Sequence, residues 1–157
     1  MLIHNVTQKE LLEFIAGLTE IETKYYDIRK ENLKTFVLIN GFKDGGKLVG
    51  VGGIGIYYCL IPHTYYMIKR EYQGQGFGSI LSQKNMEYAR RKYPFLISTI
   101  EAGNTRARKI AEHRGFMLAI SRDTHSYYYK PFNWFGKLLG FVFPCMVAVY
   151  YRLKKRG

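Results

Sequence analysis

Gln73-Gly74-Gln75-Gly76-Phe77-Gly78 is the stretch on which the reading of this chain turns. His63 to Arg70 (HTYYMIKR) precedes it and reads as a strand. A helical pattern follows from Ser79 to Lys92, with Ile80, Leu81, Met86 and Ala89 as apolar positions. Three glycines at alternate positions let the backbone pass without side-chain obstruction. Successive amides then point into one concavity, and the following helix adds its positive end. That arrangement suits a pyrophosphate. A Walker loop is excluded because Gly78 is followed by Ser79-Ile80 rather than Lys-Ser/Thr. A dinucleotide fingerprint is excluded because the spacing is GxGxG and the turn does not follow the first strand.

Working outward, Thr7 to Gly17 reads as a helix. Thr7 and Glu10 form a capping box, Gly17 supplies a stop, and Leu11, Phe14, Ile15 and Leu18 share one face. A short second helix is expected around Thr19 to Ile28. Lys34 to Asn40 reads as a strand and Lys43-Asp44-Gly45-Gly46 as a hairpin turn. Leu48 to Leu60 is a second strand whose glycines predict a bulge, with Pro62 ending it. Beyond the central helix, Phe95 to Glu101 is a strand. Asn104 to Arg114 is a helix capped by Asn104 and stopped by Gly115, and Phe116 to Arg122 pairs with Ser126 to Phe132 as a final hairpin. This alternation predicts a mixed α/β fold.

Bulk properties narrow the class. The 157 residues bound the chain to one domain, two at most, and are enough to bury a core without disulfides. With 47% hydrophobic and 23% charged residues, the chain is neither disordered nor a multi-span membrane protein. Its net charge of +12 favours an anionic partner: a polyphosphate ligand, nucleic acid or an acidic membrane surface. Scattered charge without a recognition helix or RNA-binding motif ranks nucleic acid last. Cys59 and Cys145 stand far apart, so no zinc site is expected and buried reduced thiols are the plainer reading. The start, Met1 to Asn5, lacks the basic stretch and apolar core of a signal peptide, which predicts a cytoplasmic protein.

Residues 1–132 resemble the GNAT acyltransferase superfamily. Its signature, Gln/Arg-x-x-Gly-x-Gly/Ala, is met by Gln73, Gly76 and Gly78. A second block, Asn-x-x-Ala leading to Gly-Phe, is met by Asn104, Ala107, Ile110, Gly115 and Phe116. The resemblance implies a mixed, mostly antiparallel sheet flanked by helices, with acetyl-CoA or another acyl-CoA as donor and direct attack by an amine on the thioester. It assigns the pyrophosphate to the amides of Gln73, Gly74, Gln75, Gly76, Phe77 and Gly78. Backbone groups of Met67, Ile68 and Arg70 would pair with the pantetheine arm, and Asn104 would lie near its far end. Arg106 and Lys109 would meet the 3′-phosphate of CoA, or simply form a solvated helix face.

Two departures bear on catalysis. The family's frequent Tyr, seven residues after the Asn, is Ala111, and its frequent Pro is Arg70. The acid that protonates the leaving thiolate is therefore sought on the last strand, among Tyr127, Tyr128 and Tyr129, with Tyr128 the central candidate, or in a bound water. His63 and Glu101 are the candidates for the base; their structural alternatives are a strand-start residue and a solvated carboxylate. The alternative function is a CoA-binding protein with little or no catalysis. The acceptor amine and the oligomeric state are not encoded in any motif.

From Asn133 the chain changes character. Leu138 to Tyr151 carries no charge, and Arg152, Lys154, Lys155 and Arg156 follow it. As a helix that apolar run spans about 21 Å, short of the roughly 30 Å hydrocarbon core, and Gly140 and Pro144 would kink it. Two readings stand. One is an interfacial or re-entrant segment on an anionic membrane face, flanked by Trp134, Tyr150 and Tyr151. The other is an element packed on the domain or on a second copy.

Overall fold

The computed structural model describes residues 2–23, 35–57, 61–122 and 124–154. Cys59 and the far end of the expected second helix lie outside them. The chain divides into two compact units, Met1–Ala89 and Arg90–Gly157.

In the first unit, strands β1 (Ile3–Asn5), β2 (Phe36–Asp44), β3 (Lys47–Tyr57) and β4 (Ile61–Ile68) pair in sequence order, every neighbour antiparallel. Gly45 and Gly46, both at positive φ, close the β2–β3 hairpin. Helix α1 (Gln8–Ala16) begins at the anticipated capping box: Glu10 N donates to Thr7 Oγ1, and Thr7 N donates to Glu10 Oε2. The described part of helix α2 (Glu20–Thr23) covers one turn. Helix α3 (Phe77–Lys92) starts two residues earlier than its apolar pattern suggests.

The predicted bulge is real. Phe42 pairs with Gly50 but Lys43 with Leu48, so Val49 is the extra residue of β3. A bulge of this kind turns two successive side chains the same way. Leu48 and Val51, three apart, consequently join Leu11, Phe14 and Met67 in one core. Val49 joins Phe42, Ile68 and Leu81 in a second core, in which α3 takes part. The strands of this unit are thus covered on both faces.

Pro62 corrects the sequence reading. It does not end a strand. It is the second residue of β4, buried and opposite Ile56. Proline is tolerated at the start of a strand, where a missing donor costs least. The same strand stops at Ile68 rather than Arg70, because Arg70–Tyr72 forms one 3-10 turn.

In the second unit, β5 (Phe95–Glu101) pairs antiparallel with β7 (His125–Pro131), which pairs antiparallel with β6 (Met117–Ser121). Helix α4 (Thr105–His113) is capped as expected: Asn104 Oδ1 accepts from Ala107 N at 3.0 Å, and Gly115 sits at φ +75°. Leu96, Ile97, Ile100, Ala111, Phe116 and Tyr128 are among its buried residues.

The apolar tail forms helix α5 (Trp134–Lys154), with Pro144 inside it. Phe143 and Val147 are buried, and the helix contacts β6 and β7. Its glycines act as a seat. A Cβ on Gly136 would meet Pro94 O at 1.9 Å, and one on Gly140 would meet the Tyr129 ring at 2.9 Å. Tyr129 Oη donates to the Gly136 carbonyl and its ring packs on Phe143 at 5.4 Å. Among the described residues, no helix is long and apolar enough to cross a membrane.

Candidate functional site

The glycine-rich segment joins the 3-10 turn to α3. Gly74 and Gly76 both sit at φ +85°, a region that an L side chain enters only under strain. A Cβ built on Gly76 would meet nothing within 4 Å, so the space before it is open. Phe77 and the next residues form the first turn of α3, whose amides have no intrahelical carbonyl to bond. Among the described residues, no hydrogen bond consumes the amides of Gly74 and Gln75. Left-handed glycines at alternate positions, running into a helix N-terminus, form a cradle for an anion. These residues fit a diphosphate.

Gln73 departs from expectation. Its main-chain N–H donates to Arg70 O at 3.2 Å and closes the 3-10 turn. Its side chain instead donates from Nε2 to Ile68 O at 3.0 Å, tying the turn to the end of β4. Gln73 therefore shapes the cradle, and the amides available to an anion begin at Gly74. Gln75 Nε2 reaches back to Glu71 O at 3.4 Å, and Tyr72 Oη donates to Asp44 at 2.8 Å.

The amide of Arg70 is also committed. It donates to Glu22 Oε1 at 2.7 Å. The other oxygen of Glu22 accepts from Thr19 N at 2.8 Å and Thr19 Oγ1 at 2.7 Å. Glu22 is only 6% exposed. Desolvation pushes its pKa up, but the bonds from Thr19 and Arg70, together with the charge of Lys69, outweigh that and hold it below 4.5. One carboxylate thus clasps α2 to the turn that leads into the cradle. The Thr19-x-x-Glu22 spacing is itself a capping-box signal, repeating Thr7-x-x-Glu10. The contact from Glu22 to Arg70 spans 48 positions and left no mark in the sequence.

Met67 and Ile68 are buried on β4, opposite Val51 and Gly50. His63 lies on the same strand opposite Gly55, half-buried, with its ring edge-on to Tyr57 at 5.1 Å. Burial pushes its pKa down to about 4, so it is a neutral imidazole at pH 7. The strand also meets Asn85 of α3, fully buried, which donates to Gly53 O at 2.9 Å and Tyr65 O at 3.1 Å.

In the second unit, Glu101 ends β5 opposite His125, and its Oε2 is buried with no hydrogen-bond partner among the described residues. A buried carboxylate oxygen without a donor is an acceptor awaiting a partner. Asn104 uses its side-chain oxygen to cap α4. Arg106 and Lys109 are exposed on that helix, three residues apart and so neighbours on its surface. Tyr128 is fully buried; its hydroxyl donates to Glu112 Oε1 at 3.0 Å and accepts from Arg108 Nε at 3.1 Å. Tyr129 is committed to the tail, and desolvation raises its pKa to about 12. Among the described residues, no group of three or more His, Cys, Asp or Glu side chains is placed to hold a metal ion.

Comparison with known proteins bears on the family and the fold. The sequence model of the acetyltransferase (GNAT) family matches residues 4–116. No curated protein matches the sequence significantly. Among solved structures, the ribosomal-protein-alanine N-acetyltransferase from Brucella melitensis superposes with a TM-score of 0.61 at 20% identity, covering 83% of this chain and 99% of that one. The ribosomal-protein-S18-alanine N-acetyltransferase from Escherichia coli gives 0.66 at 16% identity, covering 84% and 94%. The yncA protein from Salmonella typhimurium, solved with its cofactor acetyl-CoA, gives 0.65 at 12% identity, covering 85% and 94%. At these identities the structural likeness is one of fold.

Proposed function

Because this chain belongs to the acetyltransferase (GNAT) family, we propose that it transfers an acetyl group from acetyl-CoA to an amine inside the cell. The observation that carries the reading is the open run of main-chain amides beginning at Gly74, set between left-handed glycines and the first turn of α3. These amides hold the donor's diphosphate. Met67 and Ile68 are the backbone positions assigned to the pantetheine arm, apart from the Ile68 carbonyl, which Gln73 Nε2 holds. Arg70 contributes its charge rather than its amide, which Glu22 occupies. Asn104 orders the start of α4, from which Arg106 and Lys109 reach the 3′-phosphate.

The donor supplies a thioester whose carbonyl carbon an amine attacks, forming the amide and releasing the thiol. The ammonium form of the acceptor must first lose a proton. Glu101 is the better base, because its buried Oε2 lacks a donor. His63 is neutral and, with its pKa near 4, a weak proton acceptor that orients the amine as a hydrogen-bond partner. The proton for the leaving thiolate comes from water, since the Tyr128 hydroxyl is engaged by Arg108 and Glu112.

That same engagement, with Ala111 in the usual Tyr position, favours the second reading of a CoA-binding protein with little catalysis. Calorimetry with acetyl-CoA, followed by thiol release over a panel of amines, separates the two. Binding with amine-dependent thiol release supports the transferase. Binding without release supports the second reading, and absence of binding overturns both.

A further inference from the structure

Helix α5 presents two unlike faces. Phe143 and Val147 are turned inward, and the Tyr129 ring closes over Gly140. On another side, Leu138, Val142, Met146 and Val149 recur at spacings of three and four and are each about half exposed. Trp134 and Phe141 flank this stripe at 76% and 81% exposure. Apolar residues exposed along four turns of one helix make a contiguous patch, which soluble surfaces avoid.

Charge decides what covers it. Residues 133–157 contain no Asp or Glu, whereas Lys137, Arg152, Lys154, Lys155 and Arg156 are basic, in a chain of net charge +12. A second copy seated on this helix would bring two acid-free basic segments together, and like charges would oppose it. An anionic bilayer offers both a hydrocarbon boundary for the stripe and negative headgroups for the cations. Among the described residues no helix is long and apolar enough to cross a membrane, and α5 already packs Phe143 and Val147 inward beside β6 and β7, so the mode that fits is a helix lying in the plane of the surface.

We propose that α5 docks the protein on an anionic lipid surface, with the Leu138–Val149 stripe in the headgroup–acyl boundary and the acid-free basic charge of residues 133–157 favouring anionic headgroups. The test does not depend on acyl transfer. Trp134 is the only tryptophan, so its fluorescence reports on this helix in the unmodified chain. Phosphatidylglycerol-containing vesicles should shift its emission to shorter wavelength, and brominated acyl chains should quench it. Pure phosphatidylcholine vesicles should bind at least tenfold more weakly, and salt should weaken the anionic case. A Leu138→Glu/Val142→Glu variant should lose at least tenfold in vesicle flotation while its circular dichroism and acetyl-CoA affinity stay unchanged. Unchanged Trp134 emission with anionic vesicles overturns the proposal. So does a concentration-dependent dimer that the double variant abolishes, which would assign the stripe to a second copy.

Discussion

Replacing Glu22 tests whether the clasp on Arg70 shapes the donor turn. The carboxylate receives three hydrogen bonds, two from Thr19 and one from the Arg70 amide, at 2.7 to 2.8 Å. Hydrogen bonds to a charged acceptor contribute about 1.5–3 kcal/mol each, and those shared within one capping box are not additive. Glu22→Gln keeps an acceptor but loses the charge, and should cost about 1–2 kcal/mol of stability. Glu22→Ala leaves the donors unmatched and should cost about 2–4 kcal/mol.

Arg70→Pro supplies the control. Arg70 opens the 3-10 turn, and the preceding Lys69 sits at ψ 143°, a conformation compatible with a following proline. The proline removes the N–H that Glu22 holds. Urea unfolding of the two single variants and the Glu22→Gln/Arg70→Pro double variant should therefore show a coupling of about 1–2 kcal/mol. If about 1 kcal/mol of that coupling sets the shape of the turn, calorimetry should find acetyl-CoA binding about fivefold weaker in Glu22→Gln. Because the folded pKa of Glu22 is depressed, its stabilisation is present above pH 4.5 and is lost as pH falls through the lower folded value. The gap between wild type and Glu22→Gln should close over that same descent. Additive variants, or a destabilised Glu22→Gln with wild-type acetyl-CoA affinity, would show that the clasp holds α2 alone.

Four further outcomes follow from the site. Gly76→Glu puts a carboxylate and a strained φ into the open cradle, so acetyl-CoA binding measured by calorimetry should be lost while circular dichroism stays native; normal binding would place the donor elsewhere. Tyr128→Phe should cost about 1–2 kcal/mol in urea unfolding through its bonds to Arg108 and Glu112 and leave kcat within about threefold; a loss of about 100-fold in kcat would make Tyr128 the acid. Glu101→Gln should lower kcat/KM by about 100-fold or more. The wild-type profile should show no break from His63 between pH 5.5 and 8, since that imidazole titrates near pH 4; a break near 6.5 that His63→Gln removes would reverse the two assignments.

Local chemistry was legible from residue types alone. Thr7 with Glu10 and Asn104 with Ala107 marked their helix starts, and β5 keeps the limits that Pro94 and its apolar run suggest. The bulge in β3 was foreseeable from its glycines, but its placement at Val49 emerges only from pairing with β2. Pro62 reads as a strand end, yet it lies inside β4, because a proline costs a strand its donor only where a partner needs that donor. Glycines were ambiguous for a related reason. Gly140 reads as a helix breaker, yet it is the notch that admits the Tyr129 ring. The site was legible as a turn and illegible as a network. Nothing in Gln73 announces that its amide closes a 3-10 turn, and nothing in Glu22 announces Arg70 as its partner. Long-range partners of single polar atoms have no period and no spacing.

The central claim is that the main-chain amides from Gly74 to Gly78 grip the diphosphate of acetyl-CoA. Titration of isotope-labelled protein with acetyl-CoA, followed by amide NMR, reads those nitrogens one by one. Saturable downfield shifts of the Gly74, Gly76 and Gly78 amide protons, with the Gln73 amide moving least, are the predicted result. Saturable binding that leaves these glycine amides in place, or moves Gln73 instead, would contradict it.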